Sequence, residues 1–172
     1  TVAPILLDDV LLVTHNGYAL RFNIEEVPVL GAKAAGVKGI NLKGDDLVVS
    51  AFIANTKSIF ILTQRGSLKR MSVNDLPLAK RAGRGLQVLR ELKAKPHRVF
   101  LAGPVFAENG GAELDLFATE VEEKQQILQV QSQTGQIDEV NLTNLSLSER
   151  TSNGSFISDS ISDQGVFAAK VK

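Results

Sequence analysis

The side chains in this chain that could do chemistry are two histidines, two pairs of carboxylates, recurrent hydroxyls and one tyrosine. His15 and His97 stand alone, without the spacing of partner ligands that a metal site requires. We therefore interpret both as solvated loop residues. The chain has no cysteine, which excludes disulfides and thiolate ligands and suits a reducing cytoplasm.

Turn formation explains the remaining candidates better than catalysis does. Asp8-Asp9 and Asp45-Asp46 each precede an apolar stretch, where they fit a turn or the start of a strand. The threonine hydroxyls have no histidine at a recurrent spacing to activate them. Tyr18 directly follows a turn glycine, and ring packing accounts for it. Because no catalytic set converges, an active site is the least favoured hypothesis.

Basic residues are concentrated in the middle of the chain. Lysine plus arginine and aspartate plus glutamate each number 19, so the net charge is zero. Residues 51–100 nevertheless hold eleven basic and two acidic side chains, whereas residues 101–172 hold four basic and eleven acidic. This imbalance predicts a polyanion partner for the middle segment, with an ordinary solvated surface as the competing interpretation.

The glycine pattern at 81–86, Arg-Ala-Gly-Arg-Gly-Leu, is a weak match to a nucleotide site, because it lacks the Walker lysine–hydroxyl pair and a following helix. It is better suited to placing backbone amides and guanidinium groups beside phosphates. No aromatic set accompanies the cations, which favours contact with a duplex backbone over base-specific or single-strand binding. The predicted contacts are Arg65, Lys69, Arg70, Lys80, Arg81, Arg84, Arg90, Lys93, Lys95 and Arg98.

A recurrent turn positions these residues. The pattern Thr/Ser-x-x-Gly ends at Gly17, Gly66 and Gly135, with apolar residues at period two on both sides. Since glycine supplies the positive φ of a tight turn, each occurrence predicts a β-hairpin. Loops of two and three residues both fit, which leaves the cross-strand register open.

The hairpins recur within larger units of four strands. The second turn glycine follows the first by 49 residues, and the third follows by 69, so about twenty residues are inserted. We place the insertion at 104–126, as an additional or lengthened acidic hairpin around 109–111. The strands are expected at 10–14, 20–24, 39–42 and 47–53, then at 59–63, 68–73, 86–89 and 98–102, and finally at 127–132, 137–142, 154–157 and 166–171.

Four-stranded units with a period of about fifty residues are typical of propeller blades, which bury their faces by stacking. We expect one all-β domain over 1–172 with blades at 5–54, 55–103 and 104–172. Three blades do not close a ring, so the ring is open, or blades lie outside this chain, or copies pair edge to edge. The start at Thr1, in mid-pattern, suggests a piece of a longer protein.

The charge differs between equivalent positions of the second and third units. Asp138 stands where the second unit has Lys69, and Glu139 stands where it has Arg70. A polyanion should therefore contact the second blade most and the third least.

The first two units resemble the C-terminal domain of the A subunit of bacterial type IIA topoisomerases, the family of DNA gyrase and topoisomerase IV. The resemblance covers 10–103, and the third unit is similar only loosely. It depends on VTHNGYALRF followed by GVKGINLKGDDLVV in the first unit, and on FILTQRGSLKRMSVNDLP followed by RAGRGLQVL in the second. Arg21 and Arg70, four residues after the turn glycines, belong to the pattern. The resemblance implies a β-pinwheel, a propeller-like fold whose adjacent blades exchange strands, with a basic rim along which duplex DNA is bent.

The resemblance also implies a non-catalytic module. Cleavage and ATP hydrolysis would belong to other domains and to the B subunit, so ATP and Mg²⁺ are expected only for the whole enzyme and no cofactor for this chain. The other implied partners are duplex DNA and the rest of the A subunit, in the bacterial cytoplasm at the nucleoid. No apolar run approaches the ~20 residues of a membrane helix.

One departure from the family distinguishes its two branches. Gyrase carries a Gln-Arg-Arg-Gly-Gly-Lys-Gly box that supports DNA wrapping, and the nearest stretch here is 80–85. The resemblance therefore favours topoisomerase IV, in which the domain presents DNA segments for decatenation and relaxation during chromosome segregation. The alternative is a protein-interaction propeller that binds no nucleic acid, motivated by the zero net charge and the acidic last third.

Overall fold

The computed structural model describes residues 9–106 and 125–172, where strands dominate and one short helix occurs. Most of the hairpin expected at 104–126 lies outside these residues, as does Asp8. The elements are β1 Asp9–Thr14, β2 Tyr18–Asn23, β3 Val48–Ile53, β4 Ser58–Thr63, β5 Ser67–Ser72, β6 Leu86–Gln87, β7 Val99–Val105, β8 Ile127–Ser132, β9 Ile137–Asn141, β10 Ser155–Phe156, α1 Asp159–Gln164 and β11 Val166–Val171, with 3₁₀ turns at Ile24–Glu26 and Val73–Asp75.

The three predicted hairpins are confirmed, and their turns explain the Thr-x-x-Gly pattern. In the first, the Gly17 amide donates to the Thr14 carbonyl at 3.0 Å, and the Tyr18 amide donates to the Thr14 hydroxyl at 3.1 Å. The glycine has a φ of +84°, which an L side chain rarely adopts. The second hairpin repeats both hydrogen bonds at Thr63. The recurrent hydroxyl is therefore a turn acceptor and not a nucleophile.

Each of the first two sheets takes an outer strand from the following repeat. The sheet orders are β3-β1-β2-β6, β10-β5-β4-β7 and β11-β8-β9, and all named strand pairs are antiparallel. Strand β6 belongs to the second repeat but pairs with β2 of the first, and β10 belongs to the third but pairs with β5 of the second. The first two sheets have the four antiparallel strands of the expected propeller-like architecture, whereas the third has three strands in the described residues, because β10 pairs with the second sheet instead.

Several details of the predicted strands are wrong. No strand forms at 39–42; instead Ile40 is buried against the first sheet, and the amide of Asn41 donates to the Gly83 carbonyl. The strand predicted at 86–89 shortens to two residues, because Val88 and Leu89 turn into the core. Pro104 and Val105 extend β7 rather than starting a new hairpin. The helix α1 was not expected; the Ser158 hydroxyl caps it by accepting from the Ile161 amide.

The sheets stack, so the middle one is buried on both faces. All six residues of β4 are buried. Ile59 and Ile61 point into a cluster shared with Leu11 and Val13 of the first sheet. Phe60 and Leu62 lie on the opposite face, in a cluster shared with Leu128 and Val130 of the third sheet. This explains why β4 is apolar at every position except its ends, whereas β8 alternates.

A glycine at the start of each exchanged strand allows the crossing chain to approach its new sheet. Gly85 has a φ of +81°, and a Cβ there would lie 2.4 Å from the Ala19 carbonyl oxygen. Gly154 is equivalent, with a φ of +75° and the same separation from the Leu68 oxygen. Gly36, at the corresponding position of the first repeat, has a φ of +85° but no heavy atom within 4 Å of such a Cβ.

These glycines give a matched test of strand exchange. Gly36→Ala is expected to cost about 1 kcal/mol, because it introduces only left-handed strain. Gly85→Ala adds a collision with the Ala19 backbone and is expected to cost about 3 kcal/mol or more. Thermal unfolding followed by circular dichroism measures both, at ~2–4 °C per kcal/mol for a chain of this size. Equal losses in the two variants would contradict the close packing at β6.

Candidate nucleic-acid interface

One loop lies across the tips of the first two hairpins and carries three exposed cations. We call residues 88–99 the tip loop. It begins where the Val88 amide donates to the Gly17 carbonyl at 2.8 Å, and it ends where the Val99 amide donates to the His15 carbonyl. Near that end the Arg98 carbonyl accepts from the Gln64 amide in the second hairpin turn. The tip loop is therefore anchored to both hairpins and holds its side chains at one end of the sheets.

The ten predicted contacts separate into free and engaged cations. Five are exposed, and their charged groups make no hydrogen bond or ion pair in the described part of the chain. Three of these lie in the tip loop. The other two lie in the segment 76–85, which crosses from the second repeat to the first sheet and is called the crossing segment below. Of these two, Arg84 lies beside the first tip, over the ring of Tyr18. The free cations are Lys80, Arg84, Arg90, Lys93 and Lys95.

Arg65 is half-buried and is held at the second tip by a buried histidine. Its Nη1 lies 3.1 Å from Nε2 of His97 and donates to the Lys95 carbonyl, while its guanidinium lies 5.5 Å from the centre of the Phe156 ring. His97 is only 6% exposed, so the expectation that it is solvated is wrong. Burial first, and then the Arg65 charge, lower the pKa of His97. The neutral ring accepts at Nε2, and its Nδ1 therefore donates to the Thr63 hydroxyl.

Arg70 connects neighbouring repeats and does not face outward. Its Nη1 donates to the carbonyls of Thr143 and Leu145 in the third repeat, and its Nε donates to the Ser58 hydroxyl. Arg21 does the same one repeat earlier: it pairs with Asp9 at 2.6 Å and donates to carbonyls of the second repeat. The arginine four residues after the turn glycine is thus a link between blades. In the third repeat Glu139 occupies this position and pairs with Lys172.

Lys69 is buried, with 2% of its surface exposed, and cannot reach a ligand. Its ammonium donates to main-chain carbonyls only: Val88 at 2.5 Å, Arg150 at 2.6 Å, Ser152 at 2.8 Å and, more weakly, Glu149 at 3.4 Å. Burial and the charge of Arg150 lower the pKa of Lys69 to about 7, against an opposing effect of Asp75. The prediction that Lys69 contacts phosphate is wrong, because the residue fastens the third repeat to the second.

Two further arginines are partly engaged. Arg81 donates from Nε to the Glu26 carbonyl and from Nη1 to the Lys38 carbonyl, and these bonds fix the crossing segment to the first repeat. Nη1 of Arg98 donates to the carbonyl of its neighbour His97. Both are half-buried and keep other guanidinium donors, so they stay proposed contacts of lower priority.

Several exposed lysines were not among the predicted contacts. Their ammonium groups have no protein partner within the described ranges. They belong to all three repeats. Lys33, Lys43 and Lys170 lie outside the charge-dense middle segment, and Lys57 lies near its start, away from the other basic residues of that segment. These residues are Lys33, Lys43, Lys57 and Lys170.

Nothing in residues 9–106 and 125–172 resembles a metal centre, since no three His, Cys, Asp or Glu side chains converge there. In the same ranges, no helix has the length and apolar character that crossing a membrane would require. The cations at the hairpin tips are consequently the best-defined candidate site of the described chain.

Stacked antiparallel sheets of three or four strands that exchange edge strands, with a cationic loop across the hairpin tips, define a propeller-like binding module. A family model described as "DNA gyrase C-terminal domain, beta-propeller" matches residues 8–55 and again 57–105. The chain belongs to this family of DNA gyrase C-terminal domains. The resemblance noted for the first two repeats is thereby confirmed.

Individual relatives extend this similarity over the whole chain. It is 67% identical over 168 residues to the DNA topoisomerase 4 A subunit of Streptococcus pneumoniae serotype 4, covering 98% of this chain and 20% of that protein. It is 60% identical over 174 residues to the corresponding protein of Streptococcus pyogenes serotype M3, covering 100% of this chain and 21% of that protein. The chain thus spans about a fifth of the length of the curated relatives it matches.

A solved structure agrees with the fold. The crystal structure of the C-terminal domain of DNA topoisomerase IV superposes with a TM-score of 0.80 at 35% identity, over 96% of this chain and 46% of that one. The all-β, propeller-like prediction is confirmed by this likeness together with the sheet topology.

Proposed function

We propose that the protein is the duplex-DNA-binding part of a topoisomerase IV A subunit, which holds DNA through its phosphates without reading bases. The observation that carries the proposal is the set of free cations around the tip loop. Arg84, Arg90, Lys93 and Lys95 project from segments that are anchored to two hairpins. Cations held on a rigid surface neutralise phosphates and release counterions, which gives affinity without sequence preference.

Within the enzyme the module binds and bends DNA segments and presents them for decatenation and relaxation. The B subunit, together with the rest of the A subunit, carries the cleavage and ATP-hydrolysing residues, with Mg²⁺, so this chain acts without a cofactor. The names of its relatives support topoisomerase IV over gyrase. Arg81, within the stretch nearest to the gyrase box at 80–85, is engaged with the first repeat, and this supports topoisomerase IV too.

Three finer expectations belong to the same proposal. The blades follow the repeats at 5–54, 55–103 and 104–172 of a single domain, with the exchanged strands crossing these boundaries. The enzyme works in the bacterial cytoplasm at the nucleoid. The incomplete ring is completed by the longer A subunit; edge-to-edge pairing of copies is the alternative. The alternative, a protein-interaction propeller without nucleic-acid binding, is less well supported, because the relatives are named as subunits of a DNA topoisomerase.

The proposal is tested by the salt dependence of duplex binding. We expect fluorescence anisotropy with a labelled duplex of about 30 base pairs to give a linear plot of log K against log salt. Four phosphate contacts at about 0.9 each predict a slope near −3.6. Two duplexes of unrelated sequence should bind within about twofold of each other, because the contacts carry no sequence information. No binding at micromolar protein in low salt would refute the function.

A further inference from the structure

Arg84 is the one free arginine of the described chain that stacks on an aromatic ring. Its guanidinium carbon lies 4.4 Å from the centre of the Tyr18 ring. The residue is exposed, and no protein acceptor in the described ranges takes a hydrogen bond from its guanidinium. The other free arginine, Arg90, has no such support. The geometry therefore singles out Arg84 among the cations at the tips.

The backbone on both sides of this contact is fixed. Asn41 donates its amide to the Gly83 carbonyl at 2.8 Å, directly before Arg84. Directly after it, Gly85 lies against the backbone of Ala19, with no room for a side chain. Arg84 is thus held between two anchored glycines, and its backbone position does not depend on a ligand.

The ring beneath it is equally constrained. Tyr18 opens β2; its amide donates to the Thr14 hydroxyl at 3.1 Å, and the residue pairs with Gln87 of the exchanged strand. The hairpin and the exchanged strand therefore fix the backbone that carries the ring, next to the anchored backbone of Arg84. Packing of the turn alone, which the sequence suggested for Tyr18, does not account for the stacked arginine.

Stacking on a ring face leaves the planar guanidinium edge available. That edge carries N–H donors in a fork that matches two oxygens of one phosphate. Cation–π attraction holds the plane in place and reduces the side-chain entropy lost on binding. The exposed ammonium groups of Lys93 and Lys95 are point charges on flexible stems and offer no such preorganisation.

We propose that Tyr18 is a positioning residue, which holds Arg84 for a two-pronged contact with a single phosphate group of the duplex. This inference rests on the proposed DNA-binding function. Tyr18 itself need not touch DNA, since its role is to orient the arginine. The ligand chemistry is a phosphodiester, and the contact is independent of base identity.

A double-mutant cycle tests the inference, measured as duplex affinity by anisotropy. Tyr18→Leu is expected to weaken binding roughly two- to fivefold, which is the range for an exposed cation–π contact. Tyr18→Phe keeps the ring face, so this variant should bind within about 1.5-fold of the unmodified protein. In an Arg84→Ala background, Tyr18→Leu should have no further effect. Arg84→Lys, an exposed change that retains the charge, should lose a similar factor and also become insensitive to Tyr18→Leu.

The outcomes separate this inference from the function on which it rests. If the unmodified protein fails to bind duplex, the proposed function fails and the inference fails with it. If it binds but Tyr18→Leu weakens it equally with and without Arg84, only the positioning role is refuted. A loss in Tyr18→Phe as large as in Tyr18→Leu also refutes it, because the hydroxyl would then be the important group. Thermal melts of each variant verify that the fold is retained.

Discussion

Replacing Arg84, Arg90, Lys93 and Lys95 together with glutamine is expected to weaken duplex binding by on the order of a thousandfold at about 0.1 M salt. Each residue is exposed, and each charged group is free of protein acceptors in the described chain, so each can neutralise one phosphate. The slope of log K against log salt should fall by about 0.9 per lost contact, or about 3.6 in total. Anisotropy titrations between about 50 and about 300 mM salt measure both quantities.

A matched variant distinguishes a local site from overall charge. Replacing Lys33, Lys43, Lys57 and Lys170 with glutamine removes the same four charges from exposed positions outside the tip loop. Its salt slope should stay within about 1 of that of the unmodified protein. If both variants lose affinity equally, binding depends on net charge alone, and the assignment to the hairpin tips is wrong. An unchanged slope in the first variant would place the contacts elsewhere on the molecule.

Lys69→Met is expected to destabilise the protein by about 3 kcal/mol without removing any surface contact. Methionine is nearly as long as lysine but donates no hydrogen bond. The carbonyls of Val88, Arg150 and Ser152 would lose their donor inside the protein, where an unpaired acceptor is costly. Chemical denaturation in urea measures the free energy of unfolding. The exposed Lys57→Met serves as the control and should change it by less than about 0.5 kcal/mol.

The pH dependence of stability gives a second readout specific to this buried lysine. The pKa of Lys69 is about 7 in the folded protein, whereas an unperturbed lysine, as in the unfolded chain, has a pKa of 10.5. Between these two pH values the unfolded chain therefore binds more protons than the folded protein does. The free energy of unfolding should therefore rise with pH from about 7 towards about 10 in the unmodified protein, and this rise should be absent in Lys69→Met. Identical pH profiles, together with an unchanged stability, would show that the ammonium is not confined as described.

The local architecture could be predicted because each hairpin is encoded by neighbouring residues. A glycine that needs positive φ and a hydroxyl that caps the turn are sufficient to specify the turn ending at Gly17, and the same applies at Gly66. The destination of the exchanged strands could not be read in the same way. Nothing in Leu86–Gln87 itself indicates that its partner is β2 of the preceding repeat rather than a strand of its own repeat.

The candidate site was predicted less well, because charge density does not report which way a side chain points. Comparing equivalent positions would have helped for Lys69. Three residues after the turn glycine, the first repeat has Leu20, which is buried, and an apolar residue at that position indicates an internal one. No such signal existed for Arg70. Its counterpart Arg21 is also an arginine, and the carbonyls that accept from Arg70 lie 73 and 75 residues away.

Strand exchange has a consequence for how such a molecule can change over time. No repeat is a detachable module, since excising the second would strip the first sheet of β6 and leave β10 without β5. Duplication or loss of a blade must therefore begin and end at positions that keep every exchanged strand together with the sheet it joins. A foreign blade could be inserted only if it had a free edge to pair with the exchanged strand of the next repeat and an exchanged strand of its own to pair with the preceding sheet. In this architecture, the unit that can be gained or lost is therefore defined by the strand crossings between sheets and not by a single sheet.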